Sequence, residues 1–371
     1  MKSKISLLAL MCMMVSLTQP TWAIHEDLSE DIHEESFPTS TLMGMPKEVR
    51  QRIISLITAP EDLGSLLLLN KSTSRLVKEK IALLKVMADQ GDREARWELA
   101  QIYMGKRDGP DWDKAIPLLQ SAAEQDHVEA QYQFALALGR GYGNESNTPE
   151  INKAIPWFKK AAEQDHVGAQ FQFAVALVEG YGNELNTHEV NKAIPWFTKA
   201  ADRGHLQSQY MLAFFYEIGE GTPKNIWKAI DYYTLAAKQG HVDSQYDLAC
   251  LLKEGDGNFK TPDWPEAIYW FTMAAEKGHL GALDELADAY MSGFGNKEGK
   301  PEWDKAMPLF ASLAHLGDMR AQYQLGRAYH DGNRVPQDSA KACRWYGLAG
   351  EQGYIVALNA LERILNRPRI N

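Results

Sequence analysis

The heptapeptide Asn-Lys-Ala-Ile-Pro-Trp-Phe stands at residues 152–158 and again at 191–197, and it is the plainest sample of a period that runs through most of the 371 residues. A chain that repeats itself in this way does not collect one central core. Each copy must bury its apolar stripe against the next copy.

A small residue marks the first helix of every copy: Ala95, Ala130, Ala169, Ser208, Ser244, Ala282, Ala321 and Ala357. Four residues on come Leu99, Phe134, Phe173, Leu212, Leu248, Leu286, Leu325 and Leu361, and eight on come Tyr103, Leu138, Leu177, Tyr216, Leu252, Tyr290 and Tyr329. Offsets of zero, four and eight share one face of an α-helix. A second alanine follows in each copy: Ala115, Ala154, Ala193, Ala229, Ala267, Ala306 and Ala342. Aromatic or leucine pairs stand three and four residues after it, so the second helix is amphipathic as well. The step from second-helix alanine to the next first-helix residue is 15 in all seven cases, whereas the step from first to second helix runs 20, 24, 24, 21, 23, 24 and 21. A constant step predicts a tight turn of fixed geometry, and a varying one predicts loops gathered on a single rim. The expected fold is all-α: about seven helix pairs closed by a solitary last helix over 357–366.

The motif A-x-x-x-[LF]-[AG]-x-x-[YL]-x-x-G, a glycine-rich loop, then K-A-[IM]-x-[WY]-[FY]-x-x-A-A-x-x-G-H resembles the Sel-1-like repeat, a relative of the tetratricopeptide repeat, over residues 87–371. The resemblance implies a right-handed α-solenoid that binds or scaffolds other proteins, and it implies no catalysis and no cofactor. A cysteine-rich secreted branch of that family is linked with penicillin binding. Its paired cysteines are absent here, which leaves an envelope hydrolase of the β-lactamase kind as the least supported reading.

Lys2 and Lys4 precede an apolar run from Ile5 to Leu17, and Thr21-Trp22-Ala23 offers small residues at a cleavage site. Residues 1–23 therefore read as a secretory signal peptide, with an apolar core too short to span a bilayer. The expected destination is the periplasm or the outside of the producing cell, with no membrane span after cleavage. Cleavage would remove two lysines and take the net charge from −10 to −12. Residues 24–42 read as an acidic disordered linker. The acidic balance argues against a nucleic-acid partner, which requires a basic face. Only Cys250 and Cys343 remain after cleavage, with neither a disulfide framework nor a zinc pattern.

Residues 43–86 fall outside the repeat pattern and read as a compact three-helix unit. One reading makes it a cap on the first repeat. The other follows from M-P-x-E-V, Ile-Ile, E-D-L and the leucines after it, which resemble an F-box. That resemblance implies docking onto the adaptor subunit of a host cullin ubiquitin ligase through Pro46, Val49, Ile53, Leu63, Leu66 and Leu69. The cysteine and tryptophan of that family are replaced by Lys71-Ser72-Thr73-Ser74-Arg75. Export and a cullin partner agree only for an effector of a host-associated bacterium.

No nucleophile motif such as GxSxG or HExxH is present. The glycine runs from Gly141 to Gly295 close helices, where glycine supplies positive φ, rather than opening them as phosphate loops do. His127, His166, His205, His241 and His279 recur in the short turn, too far apart between adjacent units to share a metal ion, and read as turn residues. The candidate partner-binding residues are the aromatics two positions after the first-helix small residue: Trp97, Tyr132, Phe171, Tyr210, Tyr246 and Tyr323. They lie about 200° round the helix from the core stripe and would line a groove beside Gln131, Gln170, Gln209, Gln245 and Gln322, or else pack between units. Finally, Pro117, Pro156, Pro195 and Pro308 each follow a second-helix alanine by two. Either the helices start close to Asn152 and Asn191, or they begin near Glu150 and Glu189 and bend.

Overall fold

A computed structural model describes residues 71–105, 109–142, 148–181, 188–255, 261–294, 296, 298–332 and 335–366, with side chains from residue 80 onward. Its elements are α1 (Lys71–Asp89), α2 (Arg93–Met104), α3 (Trp112–Glu124), α4 (Val128–Arg140), α5 (Ile151–Glu163), α6 (Val167–Glu179), α7 (Val190–Asp202), α8 (Leu206–Ile218), α9 (Ile226–Lys238), α10 (Val242–Glu254), α11 (Trp264–Glu276), α12 (Leu280–Ser292), α13 (Trp303–His315), α14 (Met319–Asp331), α15 (Ser339–Glu351) and α16 (Ile355–Leu365). There is no strand among the described residues. The fold is an all-α array of helix pairs, as the period predicts, with a solitary last helix. Contacts divide the chain after Ala200 into two units. Within the first, successive helices pack from α1 to α6, and within the second from α8 to α16.

The marker alanines explain the packing. All seven second-helix alanines are 0 % exposed, and large side chains four residues on, such as Phe197, Tyr233, Phe271 and Phe310, are also 0 % exposed. A methyl group at the crossing lets the backbones approach closely. The ring one turn away then fills the space between layers.

The two joints between helices are built differently. The short one, from second helix to next first helix, has the same three parts each time. At α9–α10, the amide of Gly240 donates to Ala237 O and that of His241 to Ala236 O, closing a Schellman turn with Gly240 at φ 91°. His241, the last residue of that turn, is also the N-cap of α10. Sharing one residue between turn and cap leaves no room for an insertion, which accounts for the constant step. In two copies the left-handed residue is Asp126 or Asp165, at φ 59° and 65°. Each accepts a bond from a glutamine on the next helix, Gln131 and Gln170, at 3.2 Å.

Among the described residues the long joint is pinned at its ends. In five copies the first helix stops at a glycine in the left-handed region, for example Gly141 at φ 77° and Gly180 at φ 79°. The N-cap amide of the second helix then donates to the carbonyl eight residues after the marker. In the first unit these pairs are Asp111 to Tyr103, Glu150 to Leu138 and Glu189 to Leu177, each at 2.9 Å. In the second they are Asn225 to Tyr216, Asp263 to Leu252, Glu302 to Tyr290 and Asp338 to Tyr329, at 2.8–2.9 Å. Loop length between the pins is free to vary.

Helices α5 and α7 begin at Ile151 and Val190, next to Glu150 and Glu189, and Pro156 and Pro195 lie inside them. Both prolines are exposed, so each removes one amide donor at the surface. Helix α1 runs through the expected boundary at residues 86 and 87. Its end also carries the repeat register: Leu84, Met87 and Ala88 are buried, and the Asp92 amide donates to Met87 O at 3.0 Å. Lys80 stands where later copies have the marker alanine and pairs with Glu98 at 3.0 Å. The repeat packing therefore begins before residue 87, and a charged residue at the marker position hid it.

Candidate functional site: the seam between repeats

Four of the six candidate aromatics, Trp97, Tyr132, Tyr246 and Tyr323, are half-buried, while Phe171 and Tyr210 are 2 % and 8 % exposed. All but Phe171 sit where three helices meet. Tyr132 lies 6.1 Å from Phe158 of its own second helix and 4.2 Å from His166 of the next first helix. Tyr246 repeats this with Phe271 at 5.9 Å and His279 at 4.3 Å. Tyr210 does so with Tyr233 at 5.8 Å and His241 at 4.7 Å. Phe171 packs on Phe197 at 6.0 Å, Trp97 on His127 at 5.2 Å, and Tyr323 between Tyr346 and Tyr354 at 5.6 and 5.4 Å. Burial at this junction pushes the Tyr132 hydroxyl up to about 12. Cys250, hydrogen-bonded to Tyr246, is pushed up to about 11, also by burial, so its thiol stays protonated at neutral pH.

The turn histidines are the part that sequence reasoning undervalued. Nδ1 of His127, His166, His205, His241 and His279 accepts the amide of Ala130, Ala169, Ser208, Ser244 and Ala282 at 3.0–3.2 Å. That is a side-chain N-cap, and it places the proton of the neutral ring on Nε2. Nε2 of His127 faces Glu94 at 3.2 Å and Nε2 of His166 faces Glu129 at 3.0 Å, both carboxylates belonging to the preceding first helix. The bond from His166 holds the Glu129 carboxyl below its usual range. Each ring thus caps its own helix; those of His127, His166, His241 and His279 also pack on the previous repeat, and the first two bond to it.

The glutamines beside the aromatics are buried, from 0 % to 4 % exposed, and hold the pair together instead of facing a groove. Nε2 of Gln131, Gln170, Gln209, Gln245 and Gln322 donates to the carbonyl of Ala123, Ala162, Ala201, Ala237 and Ala314 at 3.1–3.3 Å. Where the next second helix ends in Gln164, Gln239 or Gln352, that side chain donates to the glutamine oxygen at 2.7–2.9 Å. Where Lys277 takes that place, Oε1 of Gln245 has no partner among the described residues, and the same holds for Oε1 of Gln170. A signal for these roles existed: the histidine stands three residues before, and the glutamine one residue after, the small marker. Pro46, Val49, Ile53, Leu63, Leu66 and Leu69 lie outside the described residues.

Helix pairs joined by one shared turn and cap define a tandem α-helical repeat protein. Segments 93–127, 128–166, 169–205, 206–241, 242–279 and 320–354 match the family described as Sel1 repeat, and together they cover more than half of the chain. The chain belongs to the Sel1-repeat family, whose members are generally non-catalytic protein-interaction scaffolds. The α12–α13 pair is not among the matched segments. It has Leu309 where five of the six matched copies have an aromatic, Leu313 where all six have alanine, and Asp318 where five have histidine. The joint survives nonetheless, because Asp318 caps α14 through the Ala321 amide at 2.7 Å. Among solved structures, the chain is similar to a protective antigen of uropathogenic Escherichia coli strains with an SLR fold, at 26% identity and a TM-score of 0.63, over 77% of this chain and 59% of that one. It therefore spans under two thirds of that relative's length. A Sel1 repeat protein from Oxalobacter formigenes is 26% identical over 64% of this chain and 91% of that one, with a TM-score of 0.47. No curated protein matches.

Proposed function

We propose that this chain is an exported scaffold that binds a protein or peptide partner through its repeats, without catalysing a reaction. The observation that carries this is the six matched Sel1 repeats, whose recurring alanines, histidines and glutamines join helix to helix. The residues left outward are apolar in places: Trp227 and Tyr269 of the second unit are 50 % and 54 % exposed. Rings of that exposure supply anchors at protein interfaces. The half-buried rings Trp97, Tyr132, Tyr246 and Tyr323 offer edges at the seam. Export rests on residues 1–23, and no helix among the described residues is long and apolar enough to cross a membrane.

Proximity labelling from the full chain in its producing cell or host tests the reading, with mass spectrometry of the mature N-terminus reporting cleavage after Ala23. Recovery of a defined partner set that changes in Trp227→Ala, Tyr269→Ala supports it. An unchanged set, or none above background, contradicts it. A cullin adaptor in that set, lost on Leu63→Asp, would assign the docking role to residues 43–86 rather than to the repeats alone.

A further inference from the structure

Successive first helices meet ring to ring at five places. Trp97 packs on His127, Tyr132 on His166, Tyr210 on His241, Tyr246 on His279 and Tyr323 on Tyr354, at 4.2–5.4 Å. In each pair the second ring belongs to the N-cap residue of the next first helix. Between α12 and α14 both members are carboxylates instead: Asp284 stands at the aromatic position and Asp318 at the cap.

Carboxylates on the two sides of a seam repel, and a cation that no other copy has offsets them. Arg320 follows the cap by two residues, where the other copies have Glu94, Glu129, Gly168, Gln207, Asp243, Gly281 and Val356. Its guanidinium donates to Asp284 Oδ2 at 3.0 Å and to Asp288 Oδ2, so one side chain of α14 ties two carboxylates of α12. The other charged groups at the seam are engaged elsewhere: Asp318 accepts the Ala321 amide at 2.7 Å, and Glu285 pairs with Lys253 of α10 at 2.6 Å. Among the charges acting on Asp284, Arg320 is the largest, ahead of Asp288, Asp318 and Glu285. The contact is open to water, with Arg320 45 % exposed and each aspartate 31 %. Ion pairs of that exposure weaken as salt rises, and ring packing does not share the dependence. The short turn from α13 to α14 keeps its own ties, since Gln322 donates to Ala314 O at 3.2 Å.

We propose that Arg320 with Asp284 and Asp288 forms an ionic latch, and that the α12–α14 seam is a salt-released hinge on which α14–α16 swing about the α13–α14 turn. Release changes the angle of the last helices and leaves each helix folded. A ring seam, such as Tyr246 on His279, has no such release. The inference is independent of the scaffold reading, because the latch needs no partner to open.

The test is spin-label dipolar coupling in the full chain with its three native cysteines replaced by serine. Labels at Ser292→Cys and Asp331→Cys, on the exposed ends of α12 and α14, report the ionic seam. Labels at Glu254→Cys and Ser292→Cys report the ring seam between α10 and α12. Between about 0.05 M and about 1 M NaCl a longer-distance population at the ionic seam is expected to grow about fivefold, with the ring seam unchanged. Arg320→Met should show the longer distance already in low salt and lose the response. The combination Asp284→Tyr, Asp318→His, Arg320→Gly, which installs a ring seam, should hold the short distance at both salt levels. Equal responses at the two label pairs, no response at either, or a response that survives Arg320→Met overturns the proposal. Helix content by circular dichroism should stay constant throughout, and a loss parallel to the distance change would mean unfolding of α14 and overturn the hinge.

Discussion

The two edges of the array solve the same problem, turning the chain between antiparallel helices, by opposite means. On the short edge one residue carries several tasks: His241 closes the turn, caps α10 and packs on Tyr210. On the long edge a single backbone bond, such as Asn225 to Tyr216 at 2.8 Å, sets the register. What can vary in such a protein is therefore the long edge and the outer faces. The short edge is where variation would cost most.

The largest break in this comparison is an insertion. Two glycines between Gly240 and His241 would separate turn from cap and draw Gln245 away from Ala237, at a cost of roughly 3 kcal/mol or more in urea unfolding. The same two residues between Gly221 and Thr222 should cost about 0.5 kcal/mol. His241→Ala, which removes cap and stack together, should cost about 2 kcal/mol, and His241→Asn, which keeps a capping oxygen, about half of that.

Acid offers a reversible version. Burial pushes His205 down to about 4 from its ordinary 6.5, and His241 moves the same way, chiefly by burial. Such a depressed group contributes stability that is complete above about pH 6.5 and is lost as pH falls through about 4, because the unfolded chain binds the proton first. Between pH 7 and pH 4.5 wild type should therefore lose up to roughly 2 kcal/mol more than His205→Asn, measured by unfolding at both pH values. The smallest effect belongs to the long edge. Lys228 sits 4.9 Å over the Tyr216 ring, and Lys228→Met should move the unfolding free energy by no more than about 0.5 kcal/mol.

The contrast between edges was legible in the sequence, because alanine at a helix crossing and glycine after a helix are chosen by backbone geometry and recur at fixed offsets. The polar half of the joint was not. A glutamine reads as a surface residue until a buried carbonyl is seen opposite it, and a histidine in a turn reads as punctuation until its Nδ1 is seen to face an amide. Lys80 shows the limit from the other side: one charge at a marker position concealed the repeat register in α1. At the candidate seam five of the six aromatics, Trp97, Tyr132, Tyr210, Tyr246 and Tyr323, touch the following repeat. Exposure was beyond reach, because Phe171 and Tyr132 differ in it through their neighbours, not through their own offset. The glycine loops were legible as C-caps.

Native-state hydrogen exchange across α8 to α10 tests the central claim directly. If the short joint is part of the packed array, the amides of His241, Ser244 and Gln245 will exchange only through openings that grow with urea. Those of Gly221, Lys224 and Ile226 on the long edge will exchange by local motion insensitive to urea. Urea-insensitive exchange at His241 and Ser244, as fast as at Gly221, would contradict the account.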